Sequence, residues 1–307
     1  MSSWPELPYE SWVDTRNTLH RWTQVVGKIR LSLTPLVNHW WNVPLYVTPR
    51  GLTTSTIPYG DRWFDMEFDF IAHVLCVRSS DGGEHDVPLG ERSVADLHAE
   101  VFSVLKSLRI ECSIWPMPVE IATNVIPLDR DEHHRSYDRE YVERFWQILA
   151  LTDAVFTRFR SEFIGKCSPV HFFWGSFDLA VTRFSGRPAP PNPAADKITR
   201  EAYSHEVSSA GFWPGGAGTD AAFYSYAYPE PKGFREAKVR PAMAFFEPSL
   251  GEFLLPYASL RAARDPHATL LAFLQTTYEA AANAADWDRA ALECSLGQPG
   301  VPRKIAG

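Results

Sequence analysis

The sequence predicts an α+β protein in which antiparallel sheets are flanked by helices. Along the 307 residues, long stretches with apolar residues at steps of three and four alternate with short stretches in which every second residue is apolar. The first pattern predicts amphipathic helices and the second predicts strands. The strands fall in two blocks, so the predicted order is helix, four or so strands and helix, followed by the same again.

Each of the four long helices is predicted to begin at a residue that favours a helix N-terminus: Ser11, Ser93, Asp138 and Asp265. An acidic residue three positions after each of the two serines completes a capping box. The first helix is expected to end near Leu33, before a proline. It carries one apolar stripe, formed by Leu19, Trp22, Val26, Ile29 and Leu33.

The clearest strand in the first block covers residues 64–70, where apolar and acidic side chains alternate. A short strand is expected at 111–115. In the second block, residues 171–183 are apolar on both faces, which predicts one long, buried strand. Further strands are predicted from turn residues and alternation at 203–209, 223–228, 242–247 and 252–257.

The chain divides at the predicted loop before the third helix, giving an N-terminal half (1–128) and a C-terminal half (129–307). A single compact unit is equally compatible with this length. Residues 38–42 and 170–175 are faintly similar, since both contain a His followed by aromatic residues. Two duplicated helix–four-strand–helix halves are therefore a hypothesis that the fold can test.

Composition excludes several classes of protein. The formal net charge is −7 and no run of Lys and Arg occurs, which argues against a nucleic-acid partner. The N-terminus lacks a secretory leader, and no window approaches 18 apolar residues, so we expect a cytoplasmic protein without a membrane partner. Familiar nucleotide motifs and the GxSxG nucleophile motif are also missing.

Aromatic residues make up 13% of the chain, which predicts an aromatic core or an aromatic-lined cavity.

Four polar residues in the apolar strands of the second block are candidate catalytic residues: His171, Asp178, His205 and Glu206. Titratable groups embedded in apolar strands often mark sites. A His with a carboxylate would suit acid–base chemistry, whereas His171 and His205 together would suit a divalent metal such as Zn or Fe. The alternative is that each His makes one hydrogen bond inside an aromatic core.

Other side chains near these positions could contact a small-molecule ligand. Arg183 or Arg187 could bind an anionic group, and aromatic walls could come from Trp174, Tyr203, Trp213, Tyr224 and Tyr226. Three functions stay open: an enzyme acting on a small molecule, a non-catalytic small-molecule binding protein, and a protein-interaction module, with a homo-oligomer as one form of the last.

Several segments resemble a bacterial family of uncharacterised proteins, a domain of unknown function: residues 19–28, 38–41, 51–60, 168–187 and 202–206. The resemblance extends over nearly the whole chain. It implies a stand-alone, cytosolic bacterial protein, and it assigns no activity or catalytic residue.

Overall fold

The computed structural model describes residues 4–216 and 218–303, and this part of the chain forms seven helices and two antiparallel sheets. The α+β class is therefore confirmed. The helices are α1 (Tyr9–Leu33), α2 (Val94–Ser107), α3 (Arg139–Arg160), α4 (Lys197–Ala202), α5 (Tyr257–Arg261), α6 (Pro266–Ala284) and α7 (Arg289–Leu292).

Each sheet has six strands. The N-terminal sheet contains β1 (Tyr46–Val47), β2 (Gly51–Thr53), β3 (Ile57–Tyr59), β4 (Arg62–Asp69), β5 (Val74–Ser79) and β6 (Glu84–Pro88). The C-terminal sheet contains β7 (His171–Phe173), β8 (Asp178–Pro188), β9 (His205–Trp213), β10 (Ala222–Tyr228), β11 (Phe245–Glu247) and β12 (Glu252–Pro256). Its strand order is β11-β12-β10-β9-β8-β7.

The two halves of the chain meet at the β7 edge of the C-terminal sheet. Leu45, just before β1, exchanges two backbone hydrogen bonds of 2.9 Å with Phe172 of β7. The Trp174 indole donates to the Val43 carbonyl at 2.8 Å. One hydrophobic cluster contains residues of both halves, including Trp22 of α1 and Phe145 of α3. The N-terminal half is thus placed to contribute side chains to the C-terminal sheet.

Capping residues explain three of the four long helices. The Ser93–Asp96 capping box of α2 is present, and Asp138 and Asp265 cap α3 and α6 through their side chains. The capping box predicted at Ser11 is wrong, because α1 begins two residues earlier, after Pro8, which makes no side-chain cap.

One face of the C-terminal sheet packs against α3 and α6. Successive side chains of a strand alternate between faces, and the residues on this face are apolar and buried: Phe172, Leu179, Val181, Phe212 and Phe223. Arg183 also lies on this face. Its guanidinium is stacked on the rings of Phe159, Phe163 and Tyr278, and it donates to the Phe159 carbonyl.

Two strand predictions were wrong. Residues 171–183 form a hairpin, because the chain turns at 174–177 between β7 and β8. Residues 111–115 are not a strand but part of an irregular segment. The segments whose similarity suggested a duplication also differ in conformation, since Asn38–Trp40 is a 3₁₀ turn whereas His171–Phe173 is a strand.

Among the helices of the described residues, none has the length and apolar character of a membrane-spanning segment.

Candidate functional site

The second face of the C-terminal sheet carries most of the candidate residues, and we call it the tyrosine face. The strand register places residues directly opposite one another on the same face. His171 is opposite Ala180, which is opposite Gly211, which in turn is opposite Tyr224. By the same alternation, the face also carries Asp178, Thr182, Ser209, Tyr226, Tyr228 and Glu252.

Asp178 and Tyr224 are held together across the centre of this face. The Tyr224 hydroxyl and the Ser176 hydroxyl each donate a hydrogen bond to one carboxylate oxygen of Asp178. Tyr224 crosses β9 to reach Asp178, and this path is open because β9 has a glycine there. A Cβ atom on Gly211 would lie only 2.3 Å from the Tyr224 hydroxyl. The contact between Asp178 and Tyr224 therefore requires a residue without a side chain at position 211.

A second pair of tyrosines borders this contact. The hydroxyls of Tyr203 and Tyr226 are 2.7 Å apart, and the Tyr226 ring stacks on Tyr224 at 6.1 Å. Tyr203 precedes β9 and also packs against Tyr228. A cleft of about 470 Å³ opens at Tyr203 and Tyr228, and its other walls are Pro190, Pro191, Pro193 and Arg200. The tyrosines thus separate an open cleft from the buried carboxylate.

Three carboxyl groups converge on these tyrosines. Burial raises the pKa of Asp178, although the hydrogen bonds from Ser176 and Tyr224 oppose this rise. Burial and the charge of Asp178 raise the pKa of Glu252 to about 7. The same two causes raise the pKa of Glu120, whose carboxylate lies against Gly175 at the exposed rim. No cationic side chain among the described residues offsets these effects.

The tyrosines themselves stay protonated at neutral pH. Burial, followed by the charge of Asp178, raises the pKa of Tyr224 well above its ordinary value. Burial, followed by Tyr203, does the same for Tyr226. The cluster therefore presents neutral hydroxyl groups and, at Glu252, a carboxyl group that is partly protonated near pH 7.

His171 lies on the same face in an aromatic enclosure. The side chain is completely buried, and neither ring nitrogen has a hydrogen-bond partner among the described residues. Trp41, Tyr46 and Phe173 surround the ring at centroid distances of 5.9, 5.6 and 5.4 Å. Burial, followed by the charges of Arg160 and Arg30, lowers the His171 pKa to about 3, so the ring is neutral at physiological pH.

A separate group of basic side chains occupies the far end of the face. The Lys166 ammonium donates to Nε2 of His39 at 2.5 Å, and His39 Nδ1 donates to the Ala202 carbonyl. Burial is the main reason why the pKa values of both Lys166 and His39 are lowered. The ring of His205 packs on His39 at 5.7 Å, and its Nδ1 is 3.1 Å from the Ser204 hydroxyl.

His171 and His205 are not brought together, which corrects the proposed metal site. His171 is opposite Ala180 and His205 is opposite Pro188, which lies eight positions further along β8 (188 − 180). The rings of Trp41 and His39 lie between the two imidazoles. Over residues 4–216 and 218–303, no group of three or more His, Cys, Asp or Glu side chains could hold a metal ion.

Five other candidate residues lie outside the tyrosine cluster. Glu206 faces the opposite side of β9 and forms an ion pair of 2.7 Å with Arg187. Arg183 is also on that helix-covered side. Trp174 is in the β7–β8 turn, where it packs on Gly27 of α1. Trp213 is on the tyrosine face, but at its end beside Gly216.

Sequence reasoning missed four residues of the site: Trp41, Tyr46, Glu120 and Glu252. Glu252 could have been found, because it is the one charged residue of a predicted strand that is otherwise apolar. Glu120 and Tyr46 offered no comparable signal, since they come from short or irregular segments of the other half.

No curated protein and no solved structure matches the chain. One family profile covers residues 4–294, which is nearly the whole length. The chain therefore belongs to the family of unknown function DUF5996.

Proposed function

We propose that the protein binds a small organic cation, such as an amine, at the cluster of Asp178, Tyr224 and Glu252. One observation carries this proposal: three carboxyl groups close enough to affect one another's pKa lie beside the tyrosines without an ion-pair partner among the described residues. A buried carboxylate without a partner is costly, and a bound cation removes that cost. Tyrosine rings and hydroxyls add cation–π attraction and hydrogen-bond acceptors.

The 470 Å³ cleft borders the cluster at Tyr203 and offers a volume for the apolar part of the ligand. This volume lies within the range of small-molecule sites, about 300–1,000 Å³. The cleft is lined by prolines and tyrosines, which suit the apolar part of such a ligand.

Calorimetric titration with n-hexylamine and with 1-hexanol at pH 8 tests the proposal. We expect the amine to bind at least tenfold more tightly, and Glu252→Gln to remove most of this preference, because a hydrogen bond to a charged group contributes about 1.5–3 kcal/mol. Glu206→Gln is the matched control, since Glu206 is on the other face of the same sheet and is already paired with Arg187. Equal affinity for the two probes, or equal loss in the control, would refute the proposal.

Acid–base catalysis is a second candidate, and the pKa of Glu252 near 7 favours it. A general acid or base is most effective when its pKa is near the working pH. Incubation with a mixture of small amines, followed by mass spectrometry, tests this idea. Turnover that rises or falls around pH 7 and disappears in Glu252→Gln would support catalysis; amine binding without any turnover would leave a binding protein.

A further inference from the structure

His171 is the strongest unexplained polar group of the tyrosine face. Its ring is completely buried, yet it makes no hydrogen bond with the described residues. Buried polar groups in native proteins almost always have a partner, and an exception calls for one that is a ligand, an ion or water. The ring carries an N–H that can donate and a nitrogen that can accept.

The surroundings of His171 favour a negatively charged partner. The Arg30 guanidinium lies over the Tyr46 ring, which itself packs on His171. The buried Nε atoms of Arg30 and Arg160 also lack hydrogen-bond partners among the described residues. Arg160 also acts on Asp153 of its own helix, whereas Arg30 donates to the Thr54 carbonyl and no carboxylate of the described residues acts on it. This end of the face is therefore positive and rich in donors.

The positive end lies close to the carboxyl cluster. His171 is opposite Ala180, and Asp178 is two residues from Ala180 on the same face. With about 3.3 Å per residue along a strand and about 4.8 Å between strands, the two backbone positions are about 8 Å apart. Between them lie the small side chain of Ala180 and Gly211, which the Tyr224 ring covers, and Phe173 lies beside His171 on the same face. A short molecule can span this distance.

We infer that the ligand of this site is a small zwitterion, whose ammonium group lies at Asp178 and Glu252 and whose carboxylate lies at His171. The inference deepens the proposed function and rests on it for the ammonium end. The His171 N–H donates to the ligand carboxylate, and Arg30 stabilises its charge from behind Tyr46. Trp41 and Tyr46 are only partly buried, and the carboxylate passes between them to reach the imidazole.

Calorimetric titration with 6-aminohexanoate, hexylamine and hexanoate tests the inference. We expect 6-aminohexanoate to bind about tenfold more tightly than hexylamine, as one charge-assisted hydrogen bond requires. His171→Phe should abolish this advantage and leave hexylamine affinity unchanged. The substitution loses no hydrogen bond of the described structure and keeps the aromatic packing, and circular dichroism verifies the fold. His205→Phe is the control and should keep the advantage.

The outcomes separate the two proposals. If 6-aminohexanoate and hexylamine bind equally, the zwitterion inference is wrong and the cation site stands. If hexylamine does not bind but hexanoate does, and His171→Phe abolishes hexanoate binding, the anionic end stands and the cation site is wrong. An advantage that survives in His171→Phe also overturns the inference. If no probe binds, both proposals are wrong.

Discussion

The raised pKa of Glu252 leads to a prediction about stability that can be tested without a ligand. Burial and the charge of Asp178 raise its pKa to about 7 in the folded protein, whereas an unfolded Glu has a pKa of about 4.3. Between these values the native state holds a proton that the unfolded state has released. Rising pH therefore favours unfolding over this interval, and the full cost is present above pH 7. Glutamine cannot ionise, so Glu252→Gln should escape this cost.

The size of the effect follows from the shift. Each pKa unit corresponds to 1.36 kcal/mol, so the whole shift sets an upper limit of about 3–4 kcal/mol. The Glu252 side chain is only half-buried, and contact with solvent reduces this limit to about 1–2 kcal/mol. The free energy of unfolding of Glu252→Gln, relative to the parent protein, should therefore increase by about that amount between pH 4.5 and pH 8.

Urea denaturation of both proteins at pH 4.5, 6, 7 and 8 measures this difference. Glu247→Gln is a control that should show no such rise. Glu247 is opposite Glu252 on β11, but hydrogen bonds from Ser249 lower its pKa. The stability from its native carboxylate is lost only as pH falls below about 4.3, so the difference for Glu247→Gln should stay nearly constant from pH 4.5 to pH 8. A difference for Glu252→Gln that is flat or falls with pH would refute the account of the cluster.

Three further predictions concern the packing of the tyrosine face. A double-mutant cycle with Tyr224→Phe and Asp178→Asn should give a coupling of about 1–2 kcal/mol in urea denaturation, because the hydroxyl donates to a buried carboxylate; additive effects would contradict this contact. Gly211→Ala should lower the free energy of unfolding by about 1–3 kcal/mol, since its Cβ would displace Tyr224; unchanged stability would show that the ring can shift freely. Arg183→Leu should lower the melting temperature without altering hexylamine affinity, because Arg183 lies on the helix-covered face; a selective loss of binding would place it in the site.

Local patterns predicted much of the fold. Alternation placed Tyr224, Tyr226 and Tyr228 on one face of a strand, and it placed Asp178 and Arg183 on opposite faces. Capping residues predicted where α2, α3 and α6 begin. These features depend on residues close in the chain, so short-range rules were sufficient.

The β7–β8 turn was missed because strong apolar residues flank it on both sides. Gly175 and Ser176 are turn residues, but the run from His171 to Arg183 is apolar enough to predict one strand. The error mattered for the site. In a single strand His171 and Asp178, seven residues apart, would face opposite sides (178 − 171); in the hairpin they share a face.

The remaining parts of the site depend on long-range pairing. Glu252 reaches the cluster because β12 lies between β10 and β11, and Tyr46 reaches His171 because the segment before β1 bonds to β7. No pattern of nearby residues in the sequence predicts either pairing. The same limit explains the incorrect metal site, because the distance between His171 and His205 is set by the register on β8.

Another buried carboxylate of this chain has a structural role and can be compared with those on the tyrosine face. Asp131 is completely buried, and it is paired with Arg21 at 3.2 Å and with His134 at 2.8 Å. Burial alone would raise its pKa, but the hydrogen bonds from His134 and the charge of Arg21 outweigh burial and lower it. Asp178 and Glu252 have no such cation among the described residues, and their pKa values are raised. A protein of marginal stability retains unfavourable polar groups chiefly at functional sites. The contrast between these carboxylates therefore favours a ligand, rather than another residue of the fold, as the partner of Asp178 and Glu252.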